Sequence, residues 1–416
     1  MPIMEKIELM LPVGSWESLV AAHQGGADSI YFGVEGLNMR SASSVNFSIE
    51  DMGRIVDFCH ANGMRSYLTL NTVLYDSDLE YMLLVLDAAA KAAVSAVIVS
   101  DQAAIAAARE RGLSIHLSTQ LNISNIESVK FYAQWADVMV LARELELPAV
   151  RKIANAIRDQ HIVGPSGEAI RIEMFAHGAL CMAVSGKCYL SLHEANRSAN
   201  RGECRQICRR QYAVRDVETG NELMIDNKYI MSPKDLCTID FLDSMIDAGV
   251  RVLKIEGRAR GGEYVRTVGE SYRIAIDAIG AGRWSKELAG ELKSNLLKVF
   301  NRGFWGGYYL GHRLGEWSAS YGSSARERKV YVGRVTNFFT RHSVAELLLE
   351  SSDLSTGDKL VALGSTTGAE FFVCPSVYFN EEPCVVALKG SAVSIKTECS
   401  LRRGDKVYKL VSVDDL

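Results

Sequence analysis

A chain of 416 residues with 48% apolar and 23% charged side chains has the make-up of a folded protein of two or three domains, not of a disordered, collagenous or coiled-coil one. Its net charge of −4 excludes nucleic-acid binding by bulk charge and leaves a local basic patch as the electrostatic route to such a partner. No uncharged apolar run reaches the roughly 18 residues of a membrane span, and Met1-Pro2-Ile3-Met4-Glu5-Lys6 lacks the basic-then-apolar order of a secretory signal. A cytoplasmic protein with reduced thiols and no membrane partner is expected.

In chain order, short apolar runs alternate with amphipathic stretches. The runs are Ile7–Leu11, Ser29–Gly33, Ser66–Leu70, Ala96–Ser100, Ser114–Ser118, Asp137–Leu141, Arg171–Ala176 and Arg251–Glu256. Helical periodicity lies between most of them, at Ser15–Gln24, Ile49–Asn62, Leu79–Ala92, Gln102–Arg111, Ile123–Trp135 and Glu144–Arg158. Eight such units predict an α/β fold, a (β/α)8 TIM-like barrel over residues 1–283. An open doubly wound sheet is the alternative, but no glycine-rich dinucleotide fingerprint follows the first run. About 70 residues separate the seventh run from the eighth, so a functional insertion is expected at about 179–240. Residues 284–328 read as a helix (Trp284–Val299) and a linker. From 329 the texture becomes short alternating strands, at Val330–Val335, Ala345–Leu349, Lys359–Ala362, Glu370–Cys374, Cys384–Leu388 and Lys406–Val411. The pattern Leu-x-x-Gly-Asp-Lys opens a strand twice, at Leu354 and Leu401. A small C-terminal all-β barrel over 329–416 is expected.

In a barrel of this kind, function gathers where the strands end. Those ends carry Asn38, Arg40, Asn71, Asp101, Gln120, Asn122, Arg143, Glu144, His177, Glu256 and Arg258. Arg40, Arg143 and Arg258 suit a dicarboxylate or phosphate, with Asn71 and Gln120 as further substrate-binding candidates. The competing reading makes Arg143–Glu144 and Glu256–Arg258 internal salt bridges. His177 closes the seventh strand, where it reads as a proton donor in the pocket, with holding a loop carbonyl as the alternative. The insertion carries Cys181-x6-Cys188-x15-Cys204-x3-Cys208, four thiols able to ligate a metal centre. Structural zinc favours Cys-x2-Cys knuckles, and these wider gaps suit an iron–sulfur cluster, of the 4Fe–4S type, with zinc as the alternative. Four buried, unligated cysteines remain the plain alternative, and Cys237 could replace Cys208. Lys187, Arg197, Arg201, Arg205, Arg209 and Arg210 surround the quartet and suit both an anionic cluster and phosphates.

The segments Glu173-Met-Phe-Ala-His-Gly-Ala-Leu-Cys181, Gly186-Lys-Cys188-Tyr-Leu-Ser191, Asn200-Arg-Gly-Glu-Cys204-Arg-Gln-Ile-Cys208-Arg209, Ser232-Pro-Lys-Asp-Leu236 and Lys254-Ile-Glu-Gly-Arg258 resemble the signature of the peptidase U-32 family, also called collagenase-like proteases. Leu11-Pro-Val-Gly-Ser15 and Gly26-Ala-Asp-Ser-Ile-Tyr-Phe-Gly33 match as well, and the resemblance covers roughly residues 7–320. Members include oxygen-independent hydroxylases: of a tRNA wobble uridine with prephenate, of a ribosomal RNA cytidine, and in ubiquinone synthesis. The C-terminal barrel resembles the extra domain of the longer members, which is similar to the second domain of elongation factor Tu. Length, this barrel and the Cys-x3-Cys pair are most similar to the tRNA uridine branch. The resemblance implies a tRNA partner, a small dicarboxylate such as prephenate, and an iron–sulfur cluster on Cys181, Cys188, Cys204 and Cys208. Glu173, His177, Lys254 and Glu256 stand in the motifs as candidate catalytic groups. Peptide hydrolysis is the rival activity, although no nucleophile–base pair or zinc-hydrolase triad is evident. A non-catalytic RNA-binding protein with a structural metal is the third reading.

Overall fold

The structure is a computed structural model that describes residues 6–41, 46–213, 217–220, 231–311, 315–319 and 322–415. Parts of the expected insertion and linker (214–216, 221–230, 312–314 and 320–321) therefore lie outside the described residues.

The strands and helices alternate as β1 (Glu8–Pro12), α1 (Trp16–Gln24), β2 (Ser29–Phe32), α2 (Asp51–Ala61), β3 (Arg65–Leu70), α3 (Leu79–Ala92), β4 (Ala96–Val99), α4 (Gln102–Glu110), β5 (Ile115–Leu117), α5 (Ile126–Ala133), β6 (Val138–Val140), α6 (Leu147–Asp159) and β7 (Arg171–Gly178). After a short α7 (Leu190–Ala195) come β8 (Asp235–Cys237), α8 (Leu242–Asp247), β9 (Val250–Ile255), α9 (Gly262–Gly280), α10 (Lys286–Leu296) and β10 (Phe304–Trp305). β1 to β7 pair in sequence and in parallel, and β9 closes the ring between β7 and β1. This is the expected eight-stranded barrel. The helices start where side chains satisfy their first amides: Ser15 caps α1 in a capping box with Ser18, Asp101 caps α4, Asn125 caps α5 and Ser285 caps α10.

Both faces of each strand are buried, which is why the strands read as continuous apolar runs. The outer faces join the helices in one large core. The inner faces form a smaller cluster of Met10, Tyr31, Tyr67, Ala96, Ile98, Val138 and Val252. Charged groups share that interior. The Glu8 carboxylate, 1% exposed, accepts from Tyr67 at 2.6 Å and pairs with Arg171 at 2.8 Å and with Arg65. These cations hold its pKa below the usual carboxylate range against the effect of burial.

β8 and β10 extend the sheet beyond the ring. β8 runs antiparallel to the end of β7, with His177 opposite Cys237, and β10 lies parallel to β8. The cysteine-bearing excursion thus leaves and returns beside one strand. Residues 327–412 form an antiparallel sheet of eight strands with its own core, including Val332, Val335, Leu347, Leu360, Val393 and Val407. Both Leu-x-x-Gly-Asp-Lys turns work as read: Asp358 accepts from the Ser355 amide at 2.8 Å and Asp405 from the Arg402 amide at 2.7 Å. Two of its strands, Val377–Phe379 and Ala392–Lys396, were not among the expected ones. This unit seats on α1 and α9. Gln24 donates to the Thr367 carbonyl at 3.0 Å and to Glu370 at 2.7 Å, and Arg266 pairs with Glu370 at 3.0 Å.

Candidate active site at the barrel mouth

The strand ends bring Asn38, Arg40, Thr69, Asn71, Gln120, Arg143, Glu256 and Arg258 to one mouth, and they divide into three connected groups. In the first, Arg258 is 6% exposed and donates to Asn38 Oδ1 at 3.1 Å and Thr69 Oγ1 at 2.8 Å. Among the described residues no carboxylate lies within ion-pair reach of it, and burial pushes its guanidinium down to about 10. A desolvated cation held by neutral groups favours an anionic ligand. Glu256 pairs instead with Arg40, at 2.6 Å. The Glu256–Arg258 salt bridge considered from sequence does not form, because the loop after β2 carries Arg40 across the mouth. Arg40, with Arg260 and Arg258 beyond it, holds the Glu256 carboxyl below its ordinary range despite burial.

In the second group, lower in the barrel, Glu173 is fully buried and pairs with Lys254 Nζ at 2.6 Å. Its other oxygen lies 3.6 Å from His116 Nδ1, and neither of these two atoms has a hydrogen-bond partner. Lys254 Nζ sits 4.7 Å from the Tyr31 ring centroid and 5.6 Å from that of Phe175. Glu173 is held ionised by Lys254 and His116 against desolvation. Strand parity explains the grouping: Tyr31, His116, Glu173 and Lys254 face inward from four different strands.

The third group is at the ends of β3, β5 and β6. Asn71 donates to Ser118 Oγ at 3.1 Å and accepts from the Met39 amide at 3.3 Å. Arg143 grips the Ser185 hydroxyl with Nε at 3.1 Å and Nη2 at 2.7 Å, so the alternative Arg143–Glu144 bridge is not its partner. Gln120 Oε1 and Asn122 Oδ1 are buried acceptors without a donor. Asp101 belongs elsewhere: it caps α4 and accepts from the Leu74 amide at 3.0 Å.

His177, expected as the proton donor of this mouth, is turned away from it. A β-bulge between Phe175 and His177 against β9 inserts one residue and reverses the inward alternation. The ring packs at 5.3 Å from Phe304 and 5.6 Å from Tyr272, and its Nδ1 lies 3.4 Å from the Tyr272 hydroxyl. Only 1% exposed, it has a pKa pushed down to about 3 by burial. A neutral histidine sealed under aromatic rings has no proton to give at neutral pH.

The cysteine loop lies over the mouth. Ser185 meets Arg143 and Thr119, the Asn200 carbonyl accepts from the Val73 amide at 3.1 Å, and Arg201 pairs with Asp78 at 2.7 Å. Gly202, at φ +82°, lies so close that a Cβ there would stand 2.3 Å from the Asn38 carbonyl. Cys181, Cys188, Cys204 and Cys208 are all free thiols with part of their surface exposed. Cys208 is raised to about 11, first by burial, with Arg209 opposing and the charges of Cys181, Cys204 and Cys188 adding to it, and Cys188 is raised by burial and by Cys181 and Cys204. Arg209 is fixed by the Leu180 carbonyl at 2.7 Å and Ser232 Oγ at 3.0 Å. Arg143 on Ser185 and the close approach of Gly202 to the Asn38 carbonyl therefore join the loop to the mouth. Among the described residues, no group of three or more His, Cys, Asp or Glu is arranged to hold a metal ion. Cys237 is not part of the quartet: it is buried on β8, with its thiol raised to about 12 by burial. Sequence reasoning passed over Thr69, Tyr31, His116 and Ser185. Strand parity was a signal for the first three, whereas nothing local marks Ser185.

The model of peptidase family U32 matches residues 14–319, and the chain belongs to that family. Over 402 residues it is 55% identical to a protein of Porphyromonas gingivalis named collagenase, covering 97% of each chain. It is 33% identical over 344 residues to tRNA hydroxylation protein P1 of Bacillus subtilis, covering 81% of this chain and 78% of that one. It is also 36% identical over 275 residues to the 23S rRNA 5-hydroxycytidine C2501 synthase of Escherichia coli, covering 66% of this chain and 40% of that one. The family as named thus spans peptide and RNA chemistry. Among the described residues no helix is long and apolar enough to cross a membrane.

Proposed function

We propose that the chain is an RNA-modifying enzyme that hydroxylates a pyrimidine without molecular oxygen, the wobble uridine of tRNA going to 5-hydroxyuridine with prephenate as co-substrate. The observation that carries this reading is the docking of the four-thiol loop onto the arginine-bearing mouth, through Arg143 on Ser185 and Gly202 against Asn38. The relatives named for tRNA and rRNA hydroxylation support it. The thiol quartet fits a 4Fe–4S cluster as its ligand set. A single zinc needs sulfurs gathered to about 3.8 Å from one another, given Zn–S bonds of about 2.3 Å. Four thiols on one loop match the donor set of such a cluster, and Arg209 beside Cys208 would offset its negative charge. When bound, such a cluster supplies one-electron transfer.

In this account Arg258 receives a carboxylate of the dicarboxylate, oriented by Asn38 and Thr69, while Arg40 stays paired with Glu256. Lys254 Nζ holds a proton inside the barrel, with Glu173 fixing its position. Asn71 and Gln120 offer amides to the target base, and Arg143 fastens the loop that excludes water. The base itself is splayed from its strand into the mouth. Peptide hydrolysis, which the name of the 55% identical relative suggests, lacks its machinery here. In the mouth, among the described residues, no serine, threonine or cysteine is hydrogen-bonded to a histidine.

Nucleoside mass spectrometry on tRNA and rRNA from cells lacking the gene tests the proposal. One hydroxylated pyrimidine should disappear and return with the wild-type gene, but not with Arg258→Met. An unchanged nucleoside profile together with loss of a gelatin-cleaving activity would assign the chain to peptide hydrolysis instead.

A further inference from the structure

The rim around the cysteine loop exposes more apolar surface than its position requires. Tyr189, next in chain to Cys188, is 76% exposed, and Tyr75 on the loop after β3 is 57% exposed. Met182, Val184 and Leu192 on the cysteine loop are each 37–45% exposed. Clustered exposed apolar groups beside a site mark a surface that something covers.

The two tyrosines differ from ordinary surface aromatics in their surroundings. The guanidinium of Arg201 lies 3.9 Å from the Tyr75 ring centroid. Asp78 holds Arg201 through two hydrogen bonds, at 2.7 and 3.1 Å, and the Val73 carbonyl accepts a third at 3.1 Å. Tyr75 and Arg201 therefore form a fixed, flat pair. Tyr75 lies beside the exposed acids Asp76 and Glu80, whereas charge on the cysteine loop that carries Tyr189 is one-sided. Over 179–213 the loop carries six Lys and Arg against Glu194 and Glu203. Those two acids are taken up by Arg210 and Arg197. Among the described residues Lys187 and Arg205 have no carboxylate within ion-pair reach, and both are exposed.

Aromatic plates beside unneutralised cations match single-stranded RNA, whose unstacked bases lie on rings while its phosphates meet Lys and Arg. A duplex keeps its bases stacked on one another and offers none to a ring. An acidic peptide would use the cations and leave the rings unexplained.

We propose that Tyr189 and the Tyr75–Arg201 pair are the stacking platforms for unpaired nucleotides flanking the target base, with Lys187 and Arg205 on their phosphates. This rests on the RNA reading above and names the surface that selects a loop over a helix. With one platform on the cysteine loop and the other on the loop after β3, nucleotides held on them leave a base between free to turn inward.

The test is fluorescence anisotropy on the full chain purified without oxygen, with a labelled RNA hairpin bearing a seven-nucleotide loop and the same loop nucleotides paired in a duplex. The hairpin should bind more tightly than the duplex. Tyr189→Ala and Tyr75→Ala should each weaken hairpin binding roughly tenfold, as loss of one stacked base does, and Tyr189→Phe should bind like the wild type. Lys187→Gln should flatten the log–log salt dependence by about 0.7, one single-strand phosphate. Alanine variants that bind the hairpin at wild-type affinity, or a duplex bound as well as the hairpin, would overturn the proposal. So would gelatin binding lost in the same variants while RNA binding persists, since the surface would then belong to a peptide. Failure of the hydroxylation reading looks different: hairpin binding through these tyrosines with no nucleoside changed in the deletion strain leaves the platform standing and removes the chemistry.

Discussion

His177 shows how one inserted residue decides a side chain's chemistry. Its sequence position, at the end of the seventh strand and four residues before Cys181, reads as a mouth histidine. The bulge after Phe175 turns it into the aromatic layer beneath α9 and β10. Nothing in the local pattern announces that bulge, because alternation along β7 would place His177 with Glu173 and Phe175. The consequence is a pH dependence of stability. With a folded pKa of about 3 against an ordinary value near 6.5, the unfolded chain takes up the proton first as pH falls. This contribution is therefore complete above about pH 6.5 and is lost progressively toward pH 3, by about 1.4 kcal/mol per pH unit. Urea unfolding between pH 6.5 and 4 should show the wild type losing stability more steeply than His177→Phe, by up to one proton. Equal slopes would place the histidine in contact with water. Arg258 carries the opposite lesson. Its being a barrel-mouth cation is legible from its place after the eighth strand, but its partners are not, since Asn38 and Thr69 are 220 and 189 residues away.

At the scale of elements, the barrel strands are legible because burial on both faces writes them as short, mainly apolar runs, and the helices because Ser15, Asp101 and Asn125 mark their starts. β8 and β10 are not, being three and two residues long and paired only because the cysteine loop returns beside β7. The interior pair Glu173–Lys254 joins the strands that close the ring, β7 and β9. A buried ion pair adds little net stability over apolar groups of the same size, yet removing one partner strands the other. Lys254→Met should therefore destabilise the chain by about 3–5 kcal/mol in equilibrium urea unfolding, through an unpaired Glu173. Adding Glu173→Gln to that variant should restore part of the loss. A double variant no more stable than the single one would mean that the pair is solvated and the interior wet.

Across the whole molecule three parts meet: a closed barrel, a C-terminal sheet seated on α1 and α9 with Val361, Leu363 and Ala369 in the barrel's outer core, and a loop of four thiols laid over the mouth. The loop is fastened at both sides of the opening, by Arg143 on Ser185 and by Asp78 on Arg201. Its chain segment has few apolar residues of its own to bury, and under the proposed function an inorganic core held by the thiols would add order that packing does not supply. The division between barrel and C-terminal strands follows from the change of hydrophobic period near residue 329, whereas the seating of the two through Gln24, Arg266 and Glu370 has no signature in sequence. What Cys181, Cys188, Cys204 and Cys208 hold decides the chemistry. Iron and acid-labile sulfide measured on protein purified without oxygen address this directly. The account predicts about four of each per chain, with both lost in Cys204→Ser and retained in Cys237→Ser. A colourless wild-type protein with zinc, or with no metal, in place of iron and sulfide would contradict it.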